Sequence, residues 1–319
     1  MSMRYGRIPG VEREVSRLIQ GTLLFGWLSD DQARALLDAV YAQGCNAFDT
    51  ALVYGAGHSQ QLLGKWLRER QLRSSVVIID KGCHPRGDVA RVTPADLDSD
   101  VQRALENLGV DCIDLYLLHR DDPSLPVDEI VCALNEQRRR GRIAAFGGSN
   151  WTHERLQDAH DYATAHGLVP FAASSPGLSL ARPLHTWPGC VSVGLEPDAL
   201  AWYQSKQLPL LGWSPLASGF LSERFEQGPP AEPSAFESRV LEFYGSRENW
   251  ARLARLRSVA ARHGVSVAQA ALAYVFHLPA DVYAVLGCRE AREFEALLEA
   301  LELRFDAAEI AALEAEVPA

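Results

Sequence analysis

The 319-residue sequence lacks a run of about 18 apolar residues of the kind that crosses a membrane. Its first residues, MSMRYGRIPGVERE, also lack the apolar stretch of a signal peptide. No basic run is present, and 41 acidic against 31 basic residues give a net charge of −10. Nucleic-acid binders need clustered positive charge, so we expect no nucleic-acid or membrane partner. The sequence predicts a cytoplasmic protein that binds a small molecule.

Closely spaced cysteine pairs are absent as well. The six cysteines show no CxxC spacing, and most lie within apolar runs, where the residue behaves as a small buried hydrophobe. We therefore expect reduced thiols and no cysteine metal site. The cysteines are Cys45, Cys83, Cys112, Cys132, Cys190 and Cys288.

Several catalytic motifs are missing. No GxGxxG follows the first apolar run, which argues against an open dinucleotide-binding sheet, and the absence of GxSxG argues against a serine hydrolase. No HxH or HExxH supplies paired metal ligands. Asp49, His119 and His84 could still be imagined around a metal ion, but a nearby Lys81 ammonium would repel it.

Eight short apolar runs are present instead, separated by segments with helical periodicity such as 30–43, 59–71, 93–108 and 152–166. Continuous rather than alternating apolar strands are typical of a parallel sheet buried on both faces. The order therefore predicts an α/β fold, a (β/α)8 TIM barrel in one domain over residues 1–319, with an open doubly wound sheet as the structural rival. The runs are 16–26, 46–51, 76–82, 113–120, 143–149, 171–175, 209–215 and 282–287.

Two segments depart from this alternation. Residues 1–15 are expected to form an N-terminal hairpin across the barrel floor. Residues 216–246, with Gly228-Pro229-Pro230, are expected to form a long loop, either over a cofactor or as a tolerated surface insertion. Extra helices are expected near 247–277, toward the carboxyl end of the chain.

Polar residues end three consecutive predicted strands: Asp49, Lys81 and His119. Because barrel active sites lie at the carboxyl ends of strands, these side chains could converge with Tyr54, which follows the second strand. Lys81 beside Asp49 would keep its charge and lower the pKa of Tyr54, making the tyrosine a general acid. A neutral His119 could then polarise a carbonyl oxygen, and this set of groups suits carbonyl reduction.

The segment FDTALVYGAGHSQQLLG (48–64) makes the sequence resemble the aldo-keto reductase superfamily, and the resemblance extends over nearly the whole chain. It implies a catalytic tetrad of Asp49, Tyr54, Lys81 and His119. GGSNW (147–151) and GWSPLASGFL (212–221) resemble the family's cofactor-binding segments. The implied cofactor neighbours are Gly21, Thr22, Leu23, Ser149, Asn150, Ser175, Trp213, Ser214, Leu216, Ser218, Gly219 and Arg289.

Some positions depart from the family pattern. Ser175 replaces the usual glutamine, Glu293 lies where several members carry a second phosphate-binding arginine, and Ala296-Leu297 replace the usual Glu-Asn. Arg289 favours the 2′-phosphate of NADP(H), whereas Glu293 favours the ribose hydroxyls of NAD(H). We place NADP(H) first and keep NAD(H) as possible.

The resemblance implies an NAD(P)-dependent oxidoreductase acting on an aldehyde, ketone or sugar-like substrate. The alternative is a regulatory or sensor subunit of the same fold with little turnover, as in potassium-channel β subunits. Trp27, Trp151 and Arg120 are candidates for the substrate pocket. The determinants of substrate identity are expected in loops 83–92, 120–126, 176–195 and 222–246, where Arg120 and Asp121 favour a hydroxylated substrate such as a sugar or polyol. Substrate identity, reaction direction and oligomeric state are not readable from the sequence.

Overall fold

The computed structural model describes residues 2–225 and 228–316. A short antiparallel hairpin comes first, formed by β1 (Tyr5–Gly6) and β2 (Val15–Ser16). Eight further strands follow, each hydrogen-bonded in parallel to its neighbours. They are β3 (Leu18–Gly21), β4 (Ala47–Asp49), β5 (Val77–Gly82), β6 (Ile113–Leu118), β7 (Ile143–Ser149), β8 (Ala173–Ser175), β9 (Leu210–Trp213) and β10 (Val282–Leu286).

These eight strands close into a barrel in the order β10-β3-β4-β5-β6-β7-β8-β9. The predicted (β/α)8 barrel and its N-terminal hairpin are confirmed, and the open-sheet alternative is wrong. All eight predicted runs contain a strand. The first is shorter than expected because residues Leu23–Trp27 turn into a 3-10 helix.

The helices surround the barrel. Their bounds are α1 (Asp30–Ala42), α2 (His58–Arg70), α3 (Pro94–Leu108), α4 (Val127–Arg139), α5 (His153–Ala165), α6 (Pro197–Lys206), α7 (Ala235–Tyr244), α8 (Arg247–His263), α9 (Val267–Val275), α10 (Ala291–Leu297) and α11 (Ala307–Glu314). Capping residues in the local sequence determine where several helices begin. Thr93 accepts the backbone N–H of Asp96 ahead of Pro94, and Ser29 and Gln32 form a reciprocal capping box on α1.

Helix α7 corrects the prediction of an unbroken loop over 216–246. A capping box between Ser234 and Glu237 starts this helix, and Val240 and Tyr244 bury its inner face. The preceding Gly-Pro-rich stretch led to the loop prediction, because propensity does not reveal that a short segment has an apolar surface to pack on. Residues 226 and 227 of this segment lie outside the described residues.

Strand alternation separates two apolar layers. Every second residue of a strand faces the barrel axis, where Val77, Ile79, Leu115 and Leu117 belong to one interior cluster. The residues between them face the helices and form the larger outer cluster, to which Phe48 and Ile78 belong. A side chain's position in its strand thus decides whether it reaches the barrel axis.

Among the described residues, no helix is both long and apolar enough to cross a membrane. All six cysteines are free thiols, as expected, and Cys45, Cys83 and Cys288 are buried.

Candidate active site at the carboxyl ends of the strands

In three neighbouring strands, β4, β5 and β6, the interior column ends in a polar residue at the same end of the barrel. Asp49 lies two residues after the interior Ala47, and Lys81 lies two residues after Ile79. His119 likewise follows Leu117 by two. Because side-chain direction repeats every second residue, all three point toward the barrel axis above the apolar interior.

Lys81 lies at the centre of this group. Its ammonium donates to the Asp49 carboxylate, and its Nζ is 3.5 Å from the Tyr54 hydroxyl. Burial alone would lower the pKa of Lys81, but the charges of Asp49 and Tyr54 outweigh it and hold that pKa above its usual value. Lys81 is therefore a cation at neutral pH, paired on one side and facing a phenol on the other.

The pKa of Tyr54 corrects the sequence-based expectation. Burial of its hydroxyl raises the pKa above the ordinary tyrosine value, and the attraction of Lys81 only partly offsets this rise. The net direction is thus opposite to the predicted lowering. Tyr54 consequently stays a protonated phenol at neutral pH, the form that can donate a proton.

His119 completes the group. Its ring lies edge-on to Tyr54 with centroids 5.8 Å apart, and its Nδ1 atom is buried without a hydrogen-bond partner among the described residues. Burial, aided by the charges of Lys81 and Arg120, lowers its pKa well below the usual histidine value. The structure therefore holds His119 as a neutral imidazole.

A second imidazole packs against the first. The rings of His84 and His119 are 4.8 Å apart, and Nδ1 of His84 is 2.9 Å from the carbonyl oxygen of Pro85. Since a carbonyl only accepts, Nδ1 of His84 carries the proton and Nε2 is an acceptor. Burial lowers the pKa of His84, so this ring is also neutral. Sequence reasoning considered His84 only as a metal ligand; its position three residues after Lys81 was the available signal.

Beside His119, at the end of the neighbouring strand β7, the side chains of Ser149 and Asn150 are already engaged within the chain. Ser149 Oγ donates to the Ser175 carbonyl oxygen at 2.8 Å, and Asn150 Nδ2 donates to Ser149 Oγ at 3.0 Å. The Ser175 hydroxyl is buried with no partner among the described residues. Of the three, Ser175 is thus the side chain left to bind a polar group of a ligand.

The segment after β9 has an unusual backbone. Ser214, Ala217 and Ser218 are non-glycine residues with φ of 54°, 48° and 55°, and Gly219 has φ of 88°. Ala217 follows Leu216, whose φ of −97° and ψ of 17° lie close to the right-handed region. The N–H groups of Ala217 and Gly219 donate within this segment, to the carbonyl oxygens of Ser214 at 2.8 Å and Leu216 at 2.9 Å, so the segment is a tight loop held by its own backbone. Trp213, partly buried at the end of β9, lies beside this loop.

The remaining cofactor candidates lie at β3 and β10. The Thr22 N–H donates to the Asp49 carbonyl oxygen at 2.8 Å, which joins the loop after β3 to the tetrad strand, while Leu23 is exposed. At the start of α10 the Glu293 carboxylate accepts the backbone N–H of Arg289 at 2.7 Å. A carboxylate therefore lies next to the predicted phosphate-binding arginine and is hydrogen-bonded to its backbone N–H.

The three predicted pocket residues lie in different environments. Trp27 is 72% exposed and Arg120 is partly buried beside His119. Trp151 is fully buried, edge-on to Phe171 at 5.0 Å, so the expectation that it walls the pocket is wrong. It packs in the layer between the barrel and the helices, and the sequence could not tell this apolar environment from a pocket wall.

Comparison with known proteins identifies the family. The model of the aldo/keto reductase family matches residues 17–317. The chain belongs to the aldo/keto reductase family. It is 27% identical to aldo-keto reductase str7 of Strobilurus tenacellus, with 91% of this chain and 84% of that protein covered. It is 29% identical to norsolorinic acid reductase stcV of Emericella nidulans, with 95% and 79% covered.

Two further similarities complete the comparison of this aldo/keto reductase. The rice protein named "Probable voltage-gated potassium channel subunit beta" (Oryza sativa subsp. japonica) is 27% identical, with 94% of this chain and 92% of that protein covered. The structure of the thermostable aldo-keto reductase Tm1743 with the inhibitor epalrestat superimposes with a TM-score of 0.76 at 23% identity. The superposition covers 98% of this chain and 99% of that chain. That likeness shows the shared barrel fold.

One buried polar group behind the site was missed by sequence reasoning. Asp80, adjacent to Lys81 in β5, faces the helices and is fully buried, and its Oδ1 accepts from Gln60 Nε2 at 2.8 Å. The signal was present, because alternation along VIIDKG places Asp80 on the outward face. No group of three or more His, Cys, Asp and Glu side chains in the described ranges is arranged to hold a metal ion.

Proposed function

We propose that this aldo/keto reductase is an enzyme that reduces a carbonyl group, or oxidises the matching alcohol, with Tyr54 as the proton donor. The observation that carries the proposal is the buried Asp49–Lys81 pair directed at the Tyr54 hydroxyl beside a neutral His119. We also propose that it works in the cytoplasm, in keeping with its unpaired cysteines.

The residues present fit a nicotinamide dinucleotide. The unpartnered Ser175 hydroxyl suits a carboxamide, the loop over residues 214–219 is the candidate for contact with a pyrophosphate, and the face of Trp213 suits a planar ring. When bound, such a cofactor supplies or accepts hydride. Arg289 favours NADP(H) while Glu293 opposes its extra phosphate, so NADP(H) and NAD(H) are both candidates.

The chain's own groups handle the proton. Tyr54 donates its hydroxyl proton to the carbonyl oxygen as that oxygen gains negative charge, and the phenolate left behind is stabilised by the Lys81 ammonium at 3.5 Å. Asp49 keeps Lys81 charged despite its burial. His119, neutral, can hydrogen-bond the same substrate oxygen and orient it. In the reverse direction the phenolate of Tyr54 accepts the alcohol proton.

The test is removal of one hydroxyl. Tyr54→Phe should lower kcat for reduction of 4-nitrobenzaldehyde by about 100-fold or more, since general acid catalysis contributes on that order. Loss of NADPH or NADH absorbance measures the rate, and quenching of tryptophan fluorescence measures cofactor binding separately. Tyr162→Phe is the matched control, because it removes a hydroxyl from α5 in the outer layer. Equal turnover by wild type and Tyr54→Phe would refute the role of Tyr54.

A sensor function is the second candidate, favoured by the similarity to the rice protein whose name describes a channel subunit. It predicts tight cofactor retention without turnover across a broad panel of carbonyl compounds. Rapid, substrate-dependent oxidation of NADPH or NADH would contradict it.

A further inference from the structure

Arg120 is a cation whose charge is not balanced by a carboxylate. Within residues 2–225 and 228–316, no Asp or Glu oxygen lies within 4.0 Å of its guanidinium nitrogens. Its Nη1 donates to the His119 carbonyl oxygen at 2.7 Å, and the Cys190 thiol lies within hydrogen-bonding reach of the guanidinium. The adjacent Asp121, which could have paired with it, is bound instead to Arg155 at 3.0 Å. Most of the guanidinium donors thus remain available.

The position of Arg120 places this charge at the active site. The side chain is partly buried, and its stem lies under the turn that contains Gly189, where an added Cβ would come within 3.2 Å of Arg120 Cδ. The guanidinium is close enough to influence Tyr54, His84 and His119 through its charge. Both histidines are neutral and Lys81 is paired, so an unbalanced positive charge remains on this wall.

Arg120 lies far from the region expected to hold the cofactor's phosphates. It follows β6, and in the closed strand order β6 lies directly across the barrel from β10, which precedes Arg289. The loop at 214–219, the candidate for the pyrophosphate, follows β9, the neighbour of β10. Arg120 therefore lies on the wall where the rest of a substrate would extend from a carbonyl held at Tyr54.

We propose that Arg120 binds an anionic group of the substrate, a carboxylate or a phosphate, so that the enzyme prefers charged aldehydes or ketones to neutral ones. A guanidinium offers parallel N–H donors that match either group in a bidentate hydrogen bond, and partial burial strengthens the attraction. The inference rests on the proposed function. It replaces the expectation of a hydroxylated substrate, because Asp121 is not free to bind hydroxyl groups.

The test compares substrates that differ only in charge. The first pair is 4-formylbenzoate and its neutral methyl ester, and the second is glycolaldehyde phosphate and glycolaldehyde. Wild type should prefer the anion of at least one pair by about 10-fold or more in kcat/KM, mainly through KM, as expected for a charged hydrogen bond. The pair showing the larger preference identifies carboxylate or phosphate as the bound group.

Variants then assign the preference to Arg120. Arg120→Gln should abolish the discrimination, and Arg120→Lys should restore part of it because the charge returns without the bidentate geometry. Arg103→Gln is the control, since Arg103 is exposed on α3, outside the loops of the substrate pocket, and its replacement removes the same charge. Its discrimination between anion and neutral partner should equal that of wild type.

A binding measurement keeps this proposal separate from the proposed function. Isothermal titration calorimetry with benzoate and methyl benzoate, neither of which is an aldehyde or ketone, should show tighter binding of the anion to wild type and loss of that difference in Arg120→Gln. If no carbonyl compound is reduced but this difference is found, the reductase proposal fails and the anion site stands. The anion site would be overturned if wild type bound benzoate and methyl benzoate with equal affinity. It would also be overturned if Arg120→Gln lowered the affinity for both compounds by the same factor.

Discussion

At the scale of single residues, Glu293 shows how one carboxylate can compete with a ligand. It accepts the backbone N–H groups of Arg289 at 2.7 Å and Glu290 at 3.3 Å, and so caps the first turn of α10. A 2′-phosphate attracted to Arg289 would meet this negative charge and would have to displace it.

Glu293→Gln should therefore raise the affinity for NADP⁺ relative to NAD⁺ by roughly 2- to 5-fold, since an exposed charge interacts weakly. Quenching of tryptophan fluorescence by each cofactor measures the ratio. Glu295→Gln, an exposed substitution in the same helix, is the control and should leave the ratio unchanged. A ratio that does not change in Glu293→Gln would mean that Glu293 does not face the phosphate.

At the scale of elements, the loop that follows Lys81 is fastened to helix α3 by a buried ion pair. Arg91 donates to both oxygens of Asp100 at 2.8 and 2.9 Å, and Asp100 Oδ2 also accepts the Cys83 N–H at 2.8 Å. Asp100 is 1% exposed, so its carboxylate is shielded from water and Arg91 is its ion-pair partner. The contact links loop 83–92, and with it His84, to the surrounding helices.

Arg91→Met should lower the free energy of unfolding by about 3 kcal/mol, because it leaves a buried carboxylate without its cation. Urea denaturation measures the change, and the double variant Arg91→Met/Asp100→Asn should recover part of it. Arg140→Met removes the ion pairs of a partly exposed arginine with Asp98 and Glu136, and should cost less than about 1 kcal/mol. Similar costs for the two single variants would contradict the importance of the buried pair.

At the scale of the whole molecule, Asp80 couples folding to pH. Burial between the barrel and the helices raises its pKa from 3.8 to about 7, and its Oδ2 has no hydrogen-bond partner among the described residues. The folded state therefore holds a proton that the unfolded chain releases at lower pH. This group's contribution is most favourable below the unfolded pKa and is lost as pH rises toward about 7.

Asp80→Asn should remove that dependence. Between about pH 4 and pH 7, titration of Asp80 should make the free energy of unfolding of wild type fall by up to about 1.4 kcal/mol for each pH unit of increase. The variant should lack this decrease. Urea denaturation of both proteins across this range gives the difference. A difference between the two proteins that stays constant with pH would show that Asp80 does not titrate in the folded state.

The barrel was predictable because its signals are local. The apolar composition of each run predicts a buried strand by itself. Alternation with a period of two residues then places Asp49, Lys81 and His119 on the interior column, and no distant residue is needed for that prediction. Helix α7 was missed because a short helix gains its stability from packing, and the surface that receives Val240 and Tyr244 is built by other parts of the chain.

The sequence by itself thus determined the strand order, the strand-end polar residues and the family. Only the tertiary structure decided that the pKa of Tyr54 is raised rather than lowered, that Trp151 is buried, and that Asp121 pairs with Arg155 and leaves Arg120 unbalanced. The physical reason is common to all three. Desolvation and charge pairing depend on what surrounds a side chain, and those surroundings come from segments far away in the sequence.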